Sequence, residues 1–228
     1  MNKIKLVAVI AAAGIGKRVG ANIPKQYLTL LDKAIIEHSI TPFINHPKIE
    51  QVVVSIAKND KWFKTLAIAK NPKIKLVEGG GERVDSVLSA LKVIADNAYV
   101  LVHDAARPCV TRSDIDKLID YVSANNSGAI LASKVTDTMK RSDSNGNIQG
   151  TVDRTDLWHA LTPQMFQNKI LQKAILAVKE PHLITDEASA IEMSGLPVTL
   201  IEGRSDNLKV TREEDLQIAA LYLSRLLT

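Results

Sequence analysis

The chain has 228 residues, of which 46% are hydrophobic, 24% are charged and only 4% are aromatic. So many aliphatic side chains with so few aromatic ones favour a buried, largely parallel β-sheet covered by helices. The net charge of +4 is modest and no run of five like charges occurs, which argues against a nucleic-acid partner. No apolar stretch is long enough to span a membrane, so we expect no membrane partner either.

Cysteine usage and the N-terminus bear on the cellular compartment. Cys109 is the only cysteine, so the chain can form no internal disulfide, which suits a reducing compartment. Lys3 and Lys5, followed by the apolar residues 6–13, imitate a signal peptide. The apolar run is short and leads into a glycine loop, which favours a first buried strand instead. We therefore expect a cytoplasmic protein.

The first part of the chain predicts strands that alternate with helices. Strands are expected at residues 5–11, 49–57, 74–77, 99–103 and 128–135. Helices are expected at residues 34–45, from Asp60 as N-cap to Ala69, at about 85–95, and from Ser113 as N-cap to about Ser123. This alternation implies right-handed crossovers and a mostly parallel sheet.

The alternation stops at residues 136–156, which are polar and contain the dipeptide Asn145-Gly146. An Asn-Gly pair between two extended runs is a strong signal for a β-hairpin. The segment has little apolar area, so an isolated hairpin would be marginal in water. We expect it to lean on the parent domain or on a second subunit.

The remaining residues predict two short elements and a last helix. After a helix near residues 168–179, Thr185 is expected to cap a short helix that ends with Gly195 at its C′ position. A strand follows at residues 198–202. A capping box from Thr211 to Glu214 is expected to open the last helix.

The loop after the first strand has the character of a phosphate-binding loop. It is not a dinucleotide fingerprint, because Val19 holds the place of the third glycine. It is not a Walker loop either, because Arg18 follows Gly16-Lys17 where a hydroxyl is required. The loop nevertheless lies at the sheet edge where open α/β folds bind ligands, and Arg18 and Lys25 could meet phosphate oxygens there. The alternative is a simple tight turn with solvated cations.

Two further strand ends favour the functional interpretation. Asp104 follows a buried strand, either as a metal-binding carboxylate or as a turn former. Gly79-Gly80-Gly81 follows another strand. Three strand ends rich in small residues at one sheet edge are difficult to explain by turn formation alone. The five histidines have no metal-ligand spacing, and we expect His103 to be a packed strand-end residue.

The motifs taken together resemble the 2-C-methyl-D-erythritol 4-phosphate cytidylyltransferase family. They are AAGIGKR with PKQY, GGGERVDSV, VHDAARP, DTMKR, TVDRTDLWHALTPQ, TDEASA and GRSDNLKVT, in the expected order over nearly the whole chain. The resemblance implies one α/β, Rossmann-like nucleotidyltransferase domain over residues 1–228, with a mostly parallel sheet. It also implies a protruding β-arm at about residues 136–156 that is exchanged across a homodimer.

The resemblance further implies an activity. The cytidylyl group of CTP would be transferred to 2-C-methyl-D-erythritol 4-phosphate, with release of pyrophosphate, in the non-mevalonate route to isoprenoids. The acceptor phosphate would attack the α-phosphate in line, so that catalysis is mostly positioning and charge neutralisation. Mg²⁺ is the implied cofactor, because it prefers carboxylate and phosphate oxygens.

The site residues implied by the resemblance fall into four groups. The catalytic residues would be Arg18, Lys25 and Lys209, and the metal-binding residue would be Asp104. The nucleotide would be bound by Ala12, Ala13, Gly14, Gly80, Gly81, Arg83, Ser86, Asp104 and Ala105. The acceptor would be bound by Arg107, Thr162, Thr185 and Lys209, with Thr138 and Arg154 reaching in from the partner's arm.

Two positions depart from the family pattern, and two alternative functions stay open. Ala11 stands where proline is usual, and Gly81 where aspartate is frequent, so we expect a looser loop and weaker nucleotide affinity. Ribitol 5-phosphate cytidylyltransferase would share the CTP site, although AAG and HDAARP argue against it. A non-catalytic nucleotide-binding module is disfavoured because the implied cations and the metal carboxylate are present.

Overall fold

The structure is a computed structural model that describes residues 4–14 and 23–226. The strands in this part of the chain are β1 (Leu6–Ala11), β2 (Thr29–Leu30), β3 (Lys33–Ala34), β4 (Ile49–Ile56), β5 (Ile74–Glu78), β6 (Tyr99–Asp104), β7 (Ala129–Lys134), β8 (Met139–Ser142), β9 (Ile148–Val152), β10 (Trp158–Gln167) and β11 (Thr199–Glu202). The α-helices are α1 (Ile35–Ile44), α2 (Arg83–Leu91), α3 (Arg112–Asn125), α4 (Asn168–Ala177), α5 (Glu187–Met193) and α6 (Glu214–Leu226).

Within the described residues, seven strands form the central sheet, in the order β11-β7-β10-β6-β1-β4-β5. The pairs β1–β4, β1–β6, β4–β5 and β11–β7 are parallel, so the predicted mostly parallel α/β sheet is confirmed. β10 is antiparallel to both β6 and β7, between which it is inserted. The sequence alone assigned no strand to this segment.

Both faces of the sheet are buried. Alternate residues of β1 enter different cores: Ile10 packs with α1 and α3, whereas Val9 packs with α2 and α4. This two-sided burial is the reason that β1 is a continuous apolar run instead of an alternating one. A third, smaller cluster joins α6 to the loop around Cys109.

The polar segment between β7 and β10 contains the β8–β9 hairpin, which is paired antiparallel. Gly146 has a φ of +84°, the left-handed conformation that a glycine adopts easily. The Asp143 carboxylate accepts the backbone N–H groups of Asn145 and Asn147 and so fixes the turn. Every residue of β8 is exposed.

The prediction of a helix from Asp60 to Ala69 was wrong. Two short 3₁₀ turns, Phe63–Thr65 and Ala67–Lys70, occupy this segment, and Leu66 between them is extended. The Asp60 carboxylate does accept the N–H groups of Trp62 and Phe63, as a cap would. It also accepts the Tyr27 hydroxyl at 2.6 Å, so a tertiary contact holds the chain in this form.

Four predicted helix starts are also corrected. α2 begins at Arg83, before Asp85, and Thr111 caps α3 in place of Ser113. Asp186, not Thr185, caps α5, because its carboxylate accepts the Ser189 N–H. The predicted capping box from Thr211 to Glu214 does not form: both Thr211 donors bind the Asp215 carboxylate, and α6 begins only at Glu214.

None of the described helices combines the length and the apolar character needed to cross a membrane.

Candidate active site

A cavity opens at the carboxyl edge of the sheet, where the chain leaves β1, β5 and β6. It is lined by all the residues predicted to bind a nucleotide: Ala12, Ala13, Gly14, Gly80, Gly81, Arg83, Ser86, Asp104 and Ala105. Lys25 and Lys209 line it as well. Arg18, the third predicted catalytic cation, lies outside the described residues.

The glycine loop after β5 approaches the loop after β1 closely. A Cβ on Gly79 would lie 2.5 Å from the Ala13 Cβ, and one on Gly80 would collide with the Cβ of Asp85. A Cβ on Gly81 would meet nothing within 4 Å. Two of the three glycines are therefore required by close packing, whereas the third is free to vary.

Buried hydrogen bonds connect the same two loops. The Ala12 N–H donates to the Ser55 carbonyl, and the Ser55 hydroxyl donates to the Ser86 carbonyl at 2.6 Å. The Ser86 hydroxyl oxygen accepts the Gly80 N–H at 3.2 Å. Ser86 is thus both a wall of the cavity and a support for the glycine loop.

Gln26 is a residue of this region that the sequence analysis missed. Its side chain is buried, and its amide Nε2 donates to the carbonyls of Ala12 (2.7 Å) and Gly14 (3.0 Å). These bonds hold the two carbonyls against the Gln26 amide, which itself lines the cavity. The glutamine next to Lys25 within the PKQY motif is the sequence signal that could have revealed it.

Asp104 is the electrostatic centre of the cavity. Its Oδ1 accepts Arg83 Nε at 2.9 Å, its Oδ2 accepts Lys209 Nζ at 2.8 Å, and Arg107 Nε lies 3.8 Å away. Burial alone would raise the pKa of this carboxyl, but the three cations outweigh burial and hold the pKa far below its usual range. Asp104 is therefore ionised at any physiological pH.

Arg83 bridges two carboxylates. Its Nη1 and Nη2 donate to Glu187 Oε1 and Oε2 at 2.6 and 3.0 Å, while its Nε faces Asp104. Burial opposes the charge on Arg83, but Glu187 and Asp104 outweigh it and raise the pKa of the guanidinium. Sequence reasoning did not identify Glu187, whose partner is distant along the chain.

A second cavity adjoins the first and brings together the residues predicted to bind the acceptor. Arg107, Thr162, Thr185 and Lys209 all line it. It shares Arg83, Asp104 and Lys209 with the first cavity. Ala160, Leu161, Gln164 and Asp186 complete the wall without having been predicted.

The Thr162 hydroxyl is already engaged. His103 Nε2 lies 3.1 Å from the Arg107 carbonyl, which can only accept, so the neutral ring carries its proton on Nε2. His103 Nδ1 then accepts the Thr162 hydroxyl at 2.9 Å, and the hydroxyl oxygen accepts the Asp104 N–H at 3.2 Å. Burial lowers the pKa of His103 to about 4. As expected, His103 is a packed residue, and it supports Asp104 through Thr162.

Lys209 lies on a segment that is tied to both cavities. The Arg107 guanidinium donates to the Asn207 carbonyl at 2.8 Å, and Asn207 is completely buried. The Lys25 ammonium donates to the Val210 carbonyl at 2.9 Å. The two predicted catalytic lysines are thus linked through adjacent residues of one segment.

The arm residues Thr138 and Arg154 line neither of these cavities. Both are exposed, and the Arg154 guanidinium donates to the Thr136 carbonyl of the same chain. A single chain therefore does not bring them to the site.

Comparison with known proteins gives similar proteins over nearly the whole chain. A sequence model of the 2-C-methyl-D-erythritol 4-phosphate cytidylyltransferase family matches residues 6–225. A protein of that name from Aeromonas hydrophila is 56% identical over 96% of this chain and 90% of its own length. Another from Vibrio cholerae is 52% identical over 96% of this chain and 97% of its own.

Solved structures are similar over the same extent. A crystal structure of 4-diphosphocytidyl-2C-methyl-D-erythritol synthase is 36% identical with a TM-score of 0.84, and covers 97% of this chain and 99% of its own. The Francisella tularensis 2-C-methyl-D-erythritol 4-phosphate cytidylyltransferase is 32% identical with a TM-score of 0.82, over 96% and 99%. The similarity covers nearly the whole chain, so the predicted α/β nucleotidyltransferase fold is confirmed.

Proposed function

The chain belongs to the 2-C-methyl-D-erythritol 4-phosphate cytidylyltransferase family, and we propose that its two adjoining cavities hold CTP and the acceptor side by side. The enzyme transfers the cytidylyl group of CTP to 2-C-methyl-D-erythritol 4-phosphate, in isoprenoid biosynthesis. The observation that carries this assignment of the cavities is their common wall of Arg83, Asp104 and Lys209. Ribitol 5-phosphate is not favoured as acceptor, given the relatives above.

The reaction joins two anions, so the enzyme must neutralise charge. A phosphate oxygen of the acceptor attacks the α-phosphorus of CTP, a new P–O bond forms, and the bond to the β-phosphate oxygen breaks to release pyrophosphate. Lys209 lies between the cavities and is 40% exposed, so its ammonium can exchange Asp104 for a phosphate oxygen. Arg107 offers a second cation on the acceptor side. Preorganised cations of this kind stabilise the charge of the transition state.

The nucleotide pocket suits a small pyrimidine base. Backbone groups of the two loops and the Ser86 hydroxyl provide donors and acceptors, while Ala12 and Ala13 leave room for close approach. The open space beside Gly81 is consistent with the departure from the family pattern noted above. We expect a smaller contact area with the base there, without loss of the reaction.

Asp104 is the residue that would hold Mg²⁺. In the part of the chain that the structure describes, no group of three or more His, Cys, Asp or Glu side chains could hold a metal ion. A single ionised carboxylate fits a Mg²⁺ that takes its other ligands from phosphates and water. Bound there, the ion would supply positive charge to the triphosphate. Lys209 occupies the Oδ2 of Asp104 and is the more exposed of the two close partners, so it would yield this oxygen.

The arm is proposed to complete the acceptor site of a second subunit. Thr138 and Arg154 are exposed and line neither of the two cavities of their own chain, and Met139 and Ile148 of the same hairpin are exposed apolar residues. Exchange of arms in a homodimer would bury the apolar residues and bring a guanidinium to the acceptor phosphate, which it can bind through two nitrogens. The lone buried thiol of Cys109 suits the cytoplasm as the site of action.

Pyrophosphate release tests the proposal directly. The enzyme is incubated with Mg²⁺ and CTP together with either methylerythritol 4-phosphate or ribitol 5-phosphate, and UTP replaces CTP in a parallel series. Release with CTP and methylerythritol 4-phosphate alone supports the proposal, whereas release with ribitol 5-phosphate alone refutes the acceptor. Lys209→Met should abolish activity, and Lys117→Met is the matched control because Lys117 binds the Glu202 carbonyl away from both cavities.

A further inference from the structure

Glu187 is a buried carboxylate beside the active site with no place in the reaction described so far. It lies in the first turn of α5, is 2% exposed, and is absent from the lining of both cavities. Its two carboxylate oxygens accept parallel hydrogen bonds from the two terminal nitrogens of Arg83. This is the bidentate geometry that fixes the plane of a guanidinium as well as its position.

The charge of Glu187 opposes the binding of an anionic nucleotide. A carboxylate this close to Arg83 reduces the positive potential that the cavity offers to a triphosphate. The negative charge of Glu187 therefore contradicts a role in attracting the nucleotide. What the pair provides instead is orientation, because a guanidinium gripped at both terminal nitrogens presents only its Nε to Asp104.

Glu187 is itself held rigidly to the sheet. The preceding residue, Asp186, accepts Gln164 Nε2 at 2.8 Å, and the following residue, Ala188, donates its N–H to Gln164 Oε1 at 2.9 Å. Gln164 lies on β10, paired with β6 and β7, and is buried. The chain is thus anchored on both sides of Glu187 by one side chain of the central sheet.

We propose that Glu187 is a positioning residue for cytidylyl transfer, acting through Arg83. It keeps the Arg83 guanidinium against Asp104 and prevents it from turning onto the triphosphate. The Asp104 carboxylate is thereby held in one orientation at the boundary of the two cavities. The inference rests on the proposed function, because it concerns the same site and the same reaction.

Glu187→Gln is the first test, since it keeps the length of the side chain and removes the second acceptor and the charge. We expect kcat to fall by roughly ten- to a hundredfold, as small misplacements near reacting groups do. The dissociation constant of CTP, measured by calorimetry, should stay within about threefold of the wild type or become tighter, because a negative charge is lost. A kcat within twofold of the wild type overturns the inference, and so does a CTP dissociation constant that rises well beyond threefold, because Glu187 would then act on nucleotide binding.

Asp116→Asn is the matched control for loss of stability. Asp116 binds the fully buried His46 at 2.9 Å and lines neither cavity. Thermal unfolding is measured for each variant, and kinetics are recorded well below the lower midpoint. If both variants lose stability but only Glu187→Gln loses kcat, the effect is positional. If Glu187→Gln does not fold, Glu187→Asp, which keeps the charge but shortens the reach, is read by the same criteria.

A double-mutant cycle shows whether Glu187 acts through Arg83. Arg83→Lys removes the forked donor and keeps the charge, and we expect the double variant Arg83→Lys/Glu187→Gln to have a kcat close to that of the slower single variant. Multiplicative losses would refute action through Arg83. Wild-type enzyme in the same assay separates the two proposals: no pyrophosphate release from it refutes the function, whereas an active wild type with an equally active Glu187→Gln refutes only the role of Glu187.

Discussion

Acidification from pH 7.5 to pH 5 should destabilise the protein through His103. The ring is fully buried at the end of β6 and is neutral, with Nε2 donating to the Arg107 carbonyl and Nδ1 accepting the Thr162 hydroxyl. A second proton would place a charge in a buried site next to the Arg107 guanidinium. Burial, helped by Arg107 and opposed by Asp104, lowers the pKa from 6.5 to about 4.

The size of the effect follows from proton linkage. A histidine whose folded pKa is depressed contributes stability that is complete above the unfolded pKa and is lost as the pH falls from 6.5 towards 4. At pH 5 the unfolded chain binds this proton and the folded chain hardly does, which favours unfolding by about thirtyfold, or about 2 kcal/mol. At pH 7.5 neither the folded nor the unfolded chain binds the proton appreciably, so its effect on the free energy of unfolding is close to zero.

Urea unfolding at pH 7.5 and pH 5 measures this difference in the wild type and in His103→Gln. Glutamine does not titrate and keeps an amide donor for the Arg107 carbonyl, so the other ionisable groups contribute alike to both proteins. The free energy of unfolding should fall by about 2 kcal/mol more in the wild type than in the variant. Equal losses in the two proteins would show that folding does not keep His103 neutral at pH 5 and would refute its lowered pKa.

Three further predictions concern the loops and the thiol. Gln26→Glu places a carboxylate against two carbonyl oxygens, so the KM for CTP should rise by about tenfold. Below pH 6 the KM should fall part of the way back, because a protonated carboxyl can donate a hydrogen bond. A defect in pyrophosphate release that does not change with pH would contradict this. In Gly80→Ala the new Cβ collides with Asp85, so CTP binding measured by calorimetry should weaken. In Gly81→Ala the new Cβ enters open space, so CTP should bind as it does to the wild type. Equal CTP affinities of the two variants would count against the packing argument. Burial raises the pKa of the Cys109 thiol to about 12, so a disulfide reagent at pH 8 should react only at the rate of unfolding, and rapid reaction of the folded enzyme would disprove its protection.

Errors in the predicted helix starts have a common physical cause. Asp60 and Thr211 are both residue types that often cap helices. The Asp60 carboxylate accepts the Phe63 N–H as an N-cap would, and the Thr211 N–H donates to the Asp215 carboxylate in a bond similar to that of a capping box. A short polar side chain can satisfy several nearby backbone groups, so the local sequence does not decide between a helix and a turn. The choice depended on a distant partner for Asp60, the Tyr27 hydroxyl.

Local sequence alone determined the strands that pair in parallel and the small-residue loops at their ends, whereas the antiparallel β10 was not predicted. A parallel strand buried on both faces must be apolar throughout, and a backbone that approaches another loop or a ligand must lack bulky side chains. Both requirements are satisfied within a few consecutive residues, as in β1 and in the glycines after β5. The predicted nucleotide residues of these loops therefore line one cavity in the structure.

Only the tertiary structure decided which polar side chains meet at the site. Arg83 and Glu187 are 104 positions apart, and Gln26 binds the carbonyls of Ala12 and Gly14, which lie 14 and 12 positions before it. Such buried partners are selected by the position of helices on the sheet, here by α2 and α5 and by the insertion of β10 between β6 and β7. No local pattern encodes that arrangement, because the free energy that selects it comes from contacts between segments distant in the sequence.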